Sequence, residues 1–171
     1  MNGNRKGNDM TKRTETIALE NWLFSRIQKG GVINEYGATE VTMTKAPVQF
    51  VSHEQEIHRD YLGRVDFISV SMKKTIRAYE IKVSMADFRS KAIKSWVGHY
   101  NYLVTTDELA NKYQDEILAE LPKGIGWLTP SGCVRSARQR EPLIDVDWLI
   151  WLMMRSNAMA LAKLRTKDMD L

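Results

Sequence analysis

Residues Gly63 to Ser84, GRVDFISVSMKKTIRAYEIKVS, constrain this chain more than any other stretch. Both halves are rich in β-branched and aromatic residues and meet at Met72, Lys73 and Lys74, a pattern that predicts a β-hairpin. Asp66, Glu80 and Lys82 interrupt the apolar runs. A buried charge without a partner is costly, so carboxylates inside such strands imply a charged neighbour or a metal ion.

Side-chain alternation groups Ile76, Ala78, Glu80 and Lys82 on one face of the second arm and Asp66, Ile68 and Val70 on one face of the first. The turn decides whether the two faces coincide. A three-residue loop, with Ser71 paired to Thr75, sets Asp66 opposite Glu80. A two-residue loop at Lys73 and Lys74 sends them to opposite faces, because a slip of one residue inverts every side chain. The three-residue loop, or a bulge of equal effect, is the reading adopted. Two carboxylates about 5 Å apart at Cβ, with an ammonium two residues on, make a hard oxygen site suited to Mg²⁺ and unsuited to zinc.

Asp66 followed by Glu80-Ile81-Lys82 resembles the D…(D/E)xK signature of the PD-(D/E)XK nuclease superfamily, here without the preceding Pro. The continuation Ser84-Met-Ala-Asp87-Phe88, followed by a basic helix, Trp96, Tyr100 and the strand Tyr102-Leu-Val-Thr, is similar to the MmcB-like DNA repair branch. The likeness covers roughly Glu35 to Pro130. It implies an α/β (mixed α+β) fold with a restriction-endonuclease-like three-layer core: a mixed central sheet flanked by helices, extended by a C-terminal helix. It also implies a nuclease domain over 13–130, with a basic loop and helix over 131–171 packed on it. The implied ligands of Mg²⁺ or Mn²⁺ are Asp66, Glu80 and the backbone carbonyl of Ile81, with Glu20 on the first helix as a third carboxylate. Asp66, Glu80 and Lys82 are the implied catalytic set. Glu35 and Glu40 are lesser candidates for the metal.

The chain has 171 residues, enough for one sizeable core, and 43% hydrophobic with 27% charged residues fits an ordinary globular protein. A formal charge of +4 permits a nucleic-acid partner without demanding one. The single Cys133 excludes an internal disulfide and a cysteine-based zinc site, and its expected role is packing. No apolar run reaches the roughly 20 residues of a membrane span. The opening MNGNRKGNDM lacks a signal-peptide core, so the expected location is the cytoplasm.

Residues 1–12 are polar and read as a disordered tail. Glu20, Leu23, Phe24 and Ile27 share one face of a helix from Thr14 to Lys29, stopped by Gly30-Gly31. Thr39 to Thr44 reads as a strand with Val41 and Met43 inward, and Val48 to Val51 as a second. His53 and His58 are five apart where a zinc protease helix needs four, and at about 100° per residue the rings diverge, so zinc is rejected. Ser84-x-x-Asp87 has the form of a capping box, and Phe88, Ala92 and Trp96 form the core stripe of the helix it opens. Arg64, Lys91, Lys94 and Arg59 are the candidate phosphate contacts, with Arg135, Arg138 and Arg140 as a further basic loop. A parallel strand over Asn101 to Thr105 follows. Next come a helix capped at Thr105, with Leu109, Tyr113, Ile117 and Leu121 buried, and a last strand over Ile125 to Leu128. Asp145 to Arg165 reads as a helix whose crowded apolar residues pack on the domain or form a homodimer interface.

Three functional readings compete. The first is a Mg²⁺-dependent deoxyribonuclease of DNA repair or recombination. The second is a catalytically weak or inactive nucleic-acid-binding module of the same fold. In the third, Glu80 and Lys82 form a sheet-surface ion pair in a structural protein.

Overall fold

Six strands join in one sheet. The computed structural model describes residues 4–28, 35–45 and 61–169, with side chains over 14–28, 35–45 and 61–165. In chain order the elements are α1 (Asn4–Ile27), β1 (Glu35–Thr44), β2 (Tyr61–Ser71), β3 (Ile76–Lys82), α2 (Met85–Phe88), β4 (Tyr100–Thr105), α3 (Asp107–Glu120), β5 (Gly126–Thr129), β6 (Gly132–Arg135) and α4 (Val146–Met169). The strands lie side by side in the order of the sequence. β3, β4 and β5 run parallel, while the β1/β2, β2/β3 and β5/β6 pairs are antiparallel, so the sheet is mixed. No helix among the described residues is long and apolar enough to cross a membrane.

Alternation along the strands divides the core between the two sheet faces. Phe67, Tyr79, Ile81, Val104 and Leu128 meet Leu19, Leu23 and Ile27 of α1. Ile68 and Ala78, immediate chain neighbours of Phe67 and Tyr79, join Val70 and Ile76 in packing against Leu149, Leu152 and Met153 of α4. Leu103 and Trp127 meet Leu109, Ile117 and Leu121 of α3. Helices therefore cover both faces, with α1 on one and α3 and α4 on the other.

The hairpin has the three-residue loop. Ser71 N donates to Thr75 O at 3.0 Å, Lys74 N donates to Ser71 O at 2.8 Å, and the ladder runs from Val70↔Ile76 to Phe67↔Tyr79. Lys74 takes a positive φ of 58°, the left-handed residue that a three-residue hairpin loop requires.

Several expectations are corrected. α1 begins at Asn4, so 4–12 are helical where a tail was expected. β1 starts at Glu35, ahead of Thr39. The helix opened by Ser84 lasts only to Phe88; at its cap Ser84 Oγ accepts from Asp87 N at 3.2 Å. Beyond it the chain turns back to the sheet, Ala92 is exposed, and no stripe of Phe88, Ala92 and Trp96 forms. A longer helix would carry Ser95 and Val97 off the sheet they pack on. Thr106, one residue after the expected Thr105, caps α3 by accepting from Leu109 N. The last strand is not Ile125 to Leu128: β5 is followed by β6, formed from part of the expected basic loop. β6 extends the sheet, and Leu149, Leu152 and Met153 of α4 join its core. Cys133 is exposed, not packed. Val48 to Val51, His53, His58 and Arg59 lie outside the described residues.

Candidate active site

The β2/β3 ladder stops at Phe67↔Tyr79, and the same register carried one step further sets Asp66 across from Glu80. Alternation slips at this level in both neighbouring strands. Val65 and Ile68, three apart, enter the same core, as do Ala38 and Val41 of β1. Between the latter, Glu40 adopts a φ of 50°, and the β1/β2 ladder passes from Thr39↔Phe67 to Val41↔Val65 across the level of Glu40 and Asp66. Strand pairing is therefore loosest where the carboxylates stand.

With the ladder ended, a side chain takes over from the backbone. Asp66 Oδ2 accepts from Ile81 N at 2.8 Å. Lys82 Nζ lies 3.6 Å from that same oxygen and 3.5 Å from Glu80 Oε2. Glu80 Oε1 accepts from Ser95 N at 2.8 Å, and Ser95 Oγ donates to Leu62 O at 3.0 Å, tying the irregular return to β2. Asp66, Glu80, Lys82 and the Ile81 backbone are thus brought together. Exposure is graded across the set: 2% of the Glu80 side chain is exposed, 8% of Lys82 and 28% of Asp66. Asp66 is the most exposed of the three.

Burial, and next the charge of Asp66, push the Glu80 carboxyl up to about 7 against the opposing pull of Ser95 N and Lys82. Two carboxylates and one ammonium leave the cluster one negative charge in excess when both acids are ionised, in a place that water hardly reaches. A divalent cation relieves that excess. Among the described residues no three His, Cys, Asp or Glu side chains gather to hold a metal ion. A cation here would rest on Asp66, Glu80 and a main-chain oxygen such as that of Ile81, with further ligands from water or a phosphate. Mg²⁺ is commonly held in this way, and the hard oxygen donors fit it.

Glu20 does not complete a three-carboxylate set, yet it is near enough to feel the site. Its carboxyl is raised first by burial and then by the charges of Glu40 and Asp66. Glu35 is engaged elsewhere, accepting from Ser69 Oγ and Arg77 Nη1 at 2.5 and 2.9 Å.

Of the expected phosphate contacts, Arg64 is exposed and loosely paired with Glu40 at 3.8 Å. Lys91 is exposed, and Lys94 Nζ donates to Ser90 O at 3.4 Å while standing over the Phe88 ring. Neither rides a basic helix, because the segment that bears them is irregular. Arg135 is a brace: it donates to the carbonyls of Ile125, Pro122 and Leu121. Arg140 donates to Trp96 O.

Sequence reasoning missed Ser95, whose contribution is a backbone N–H and so leaves no trace in residue type. It also missed a cleft of about 680 Å³ beside the site, lined by Glu20, Glu40 and Arg64 and by Arg155, Met159 and Lys163 of α4.

No family model and no curated protein matches the chain. Among solved structures it is similar to a protein of unknown function from Silicibacter pomeroyi, with a TM-score of 0.53 and 18% identity over 86% of this chain and 90% of that one. At that identity the likeness concerns the fold alone.

Proposed function

We propose that this chain is a Mg²⁺- or Mn²⁺-dependent nuclease that hydrolyses phosphodiester bonds in DNA, on a restriction-endonuclease-like core, in repair or recombination. The observation that carries the reading is the meeting of Asp66, Glu80 and Lys82 where the β2/β3 ladder ends. The resemblance of the same residues to the PD-(D/E)XK and MmcB-like signature supports it.

In this reading Asp66, Glu80 and the Ile81 carbonyl hold the ion. When bound, the ion supplies Lewis-acid polarisation of the phosphate and a lowered pKa for water. Lys82 carries three donors and no acceptor. It therefore fixes the attacking water or a phosphate oxygen in place and balances growing negative charge, and it takes up no proton. Ser95 N holds Glu80 in its rotamer. Arg64, exposed two residues before Asp66, contacts a flanking phosphate.

The test is a Mg²⁺ and Mn²⁺ titration of the wild type and Asp66→Ala against linear, nicked, single-stranded and branched DNA. Metal-dependent cutting that disappears in the variant supports the reading. Equal cutting by both proteins would sink it.

A second reading, a nucleic-acid-binding module with little activity, draws on one feature. The Lys82 ammonium between the carboxylates, together with a proton on Glu80 near neutrality, satisfies the pair with no ion present. Salt-dependent DNA binding without cleavage selects it. In either reading the exposed apolar side of α4 is proposed as a homodimer contact.

A further inference from the structure

We infer that the cleft roofed by α4 seats a single DNA strand and delivers it to Asp66, so that unpaired DNA is preferred over continuous duplex. The identity of the polymer rests on the nuclease reading.

The cleft is walled by α4, which stands over the β1 edge on two bonds. Ser156 Oγ donates to Thr39 O at 2.9 Å, and Asn157 Nδ2 donates to Gly37 O at 3.4 Å. Its volume of about 680 Å³ lies within the usual range of small-ligand sites, roughly 300–1,000 Å³. That is room for bases and sugars of one strand, not for a segment of double helix.

Charge is sorted along the cleft. Glu40, level with Asp66, and Glu20, which feels Asp66, lie at the end next to the carboxylate site. Arg64 stands at that end as well, loosely paired with Glu40 at 3.8 Å, and the cations of the facing wall are Arg155 and Lys163 on α4. Arg155 makes no ion pair among the described residues; it stands 6.0 Å from the Trp151 ring. Arg155 and Lys163 are eight residues apart, about 12 Å along a helix at 1.5 Å per residue, and their side chains line the same cleft. That span leaves room for successive phosphates of one extended strand.

Between the two cations Met159 offers an apolar surface, with Leu152 and Leu164 beside it. Such surfaces suit the faces of unstacked bases, which a duplex keeps to itself. With phosphates along the cationic wall and bases on the apolar residues, the strand would reach Asp66 past Glu40, which lines the cleft and stands level with it on β1. A duplex could reach only the rim.

The experiment uses the full chain in EDTA, so that no cutting occurs. It measures fluorescence anisotropy of a short labelled oligothymidylate and of the same strand annealed to its complement. The expected result is tighter binding of the single strand. Arg155→Ala/Lys163→Ala should weaken that binding about tenfold or more and make the salt dependence shallower by about 0.7 per lost phosphate contact, with an unchanged urea midpoint. Met159→Glu, which fills the cleft with a charge and leaves both cations in place, should weaken it as well. Wild-type strand affinity in both variants, or tighter binding of duplex than of strand by the wild type, overturns the inference. Strand binding that depends on Arg155 and Lys163 in a protein that cuts nothing with Mg²⁺ would sink the nuclease reading and leave the cleft assigned. Cutting of single-stranded DNA at the wild-type rate by the double variant would do the reverse.

Discussion

Asp66 Oδ2 receives the Ile81 N–H at 2.8 Å across the point where β2 and β3 stop pairing. The carboxylate therefore has a structural task, closing a backbone donor, beside any task toward a cation. Asp66→Asn separates the two, since the amide oxygen can still accept from Ile81 N while the charge is gone. The variant should keep its unfolding free energy within about 1 kcal/mol of wild type and lose any Mg²⁺-dependent rise in Tm. Asp66→Ala should lose a further 1–2 kcal/mol or so, the cost of an unsatisfied buried N–H. Urea unfolding and thermal melts with and without Mg²⁺ read both quantities. A full Mg²⁺ response in Asp66→Asn would remove Asp66 from the ligand set.

Glu80 sets a pH dependence of unusual sign. Its folded value of about 7 stands above the 4.5 usual for a glutamate carboxyl. Between those values the folded state keeps a proton that the unfolded chain releases. Stability is therefore greatest below the unfolded pKa and falls as pH rises through the window, by up to about 3 kcal/mol. Unfolding in EDTA from pH 4.5 to 8 should show this decline, and Glu80→Gln should flatten it. Mg²⁺ favours the ionised form, so its stabilising effect should grow from pH 6 to pH 8. A flat profile for the wild type would mean that Glu80 is ionised throughout.

Lys82 is the only cation within ion-pair distance of Asp66 or Glu80 among the described residues, and it is buried with them. Lys82→Met should cost about 3 kcal/mol at pH 8 in EDTA, in line with removing one member of a buried charge cluster. The loss should shrink below pH 6, where Glu80 carries its own proton. Mg²⁺ should still bind and recover part of the stability, while DNA cutting disappears. Retained cutting would show that the ammonium is structural only.

Much of this site was legible because hairpin register follows from loop length, and Ser71, Thr75 and the two lysines between them admit a three-residue loop. Charged residues inside apolar strands gave the rest. What stayed hidden has physical reasons. The slip in alternation at Glu40 and Asp66 depends on backbone torsions, and a φ of 50° at a glutamate has no residue-type signature. Phe88, Ala92 and Trp96 have helical spacing, yet tertiary contacts override it: Ser95 N is needed by Glu80, and Asn101 pins Gly98 through both its N–H and its carbonyl. Arg135 looked like a phosphate contact because a guanidinium that satisfies carbonyls and one that awaits an anion read alike in a sequence.

Arg135 supplies a control for the DNA reading. Its guanidinium collects three carbonyls at the turn between α3 and β5, and burial draws its pKa below the usual value. Arg135→Ala should destabilise the fold by about 1–2 kcal/mol, less than a fully buried charged hydrogen bond because the group is part-exposed. DNA affinity at low denaturant should not change. A selective loss of DNA binding with no change in stability would return Arg135 to the substrate surface.

The two sides of α4 make different predictions. Leu152, Arg155, Ser156, Met159 and Lys163 line the cleft. Met154, Ala158 and Leu161 fall on the opposite side, at about 100° per residue, while Trp151, whose ring the Arg155 guanidinium overlies, stands at the border between the two. Met154 is 67% exposed and Leu161 52%, a stripe of the kind that usually meets something. Spacings of three and four residues along that stripe suit helix-on-helix contact with a second copy. Light scattering on eluted protein should give a dimer mass at micromolar concentration, and Leu161→Glu should give a monomer. Because the stripe faces away from the cleft, that variant should bind single-stranded DNA as wild type does. A wild-type monomer at every concentration tested would leave the stripe without this partner.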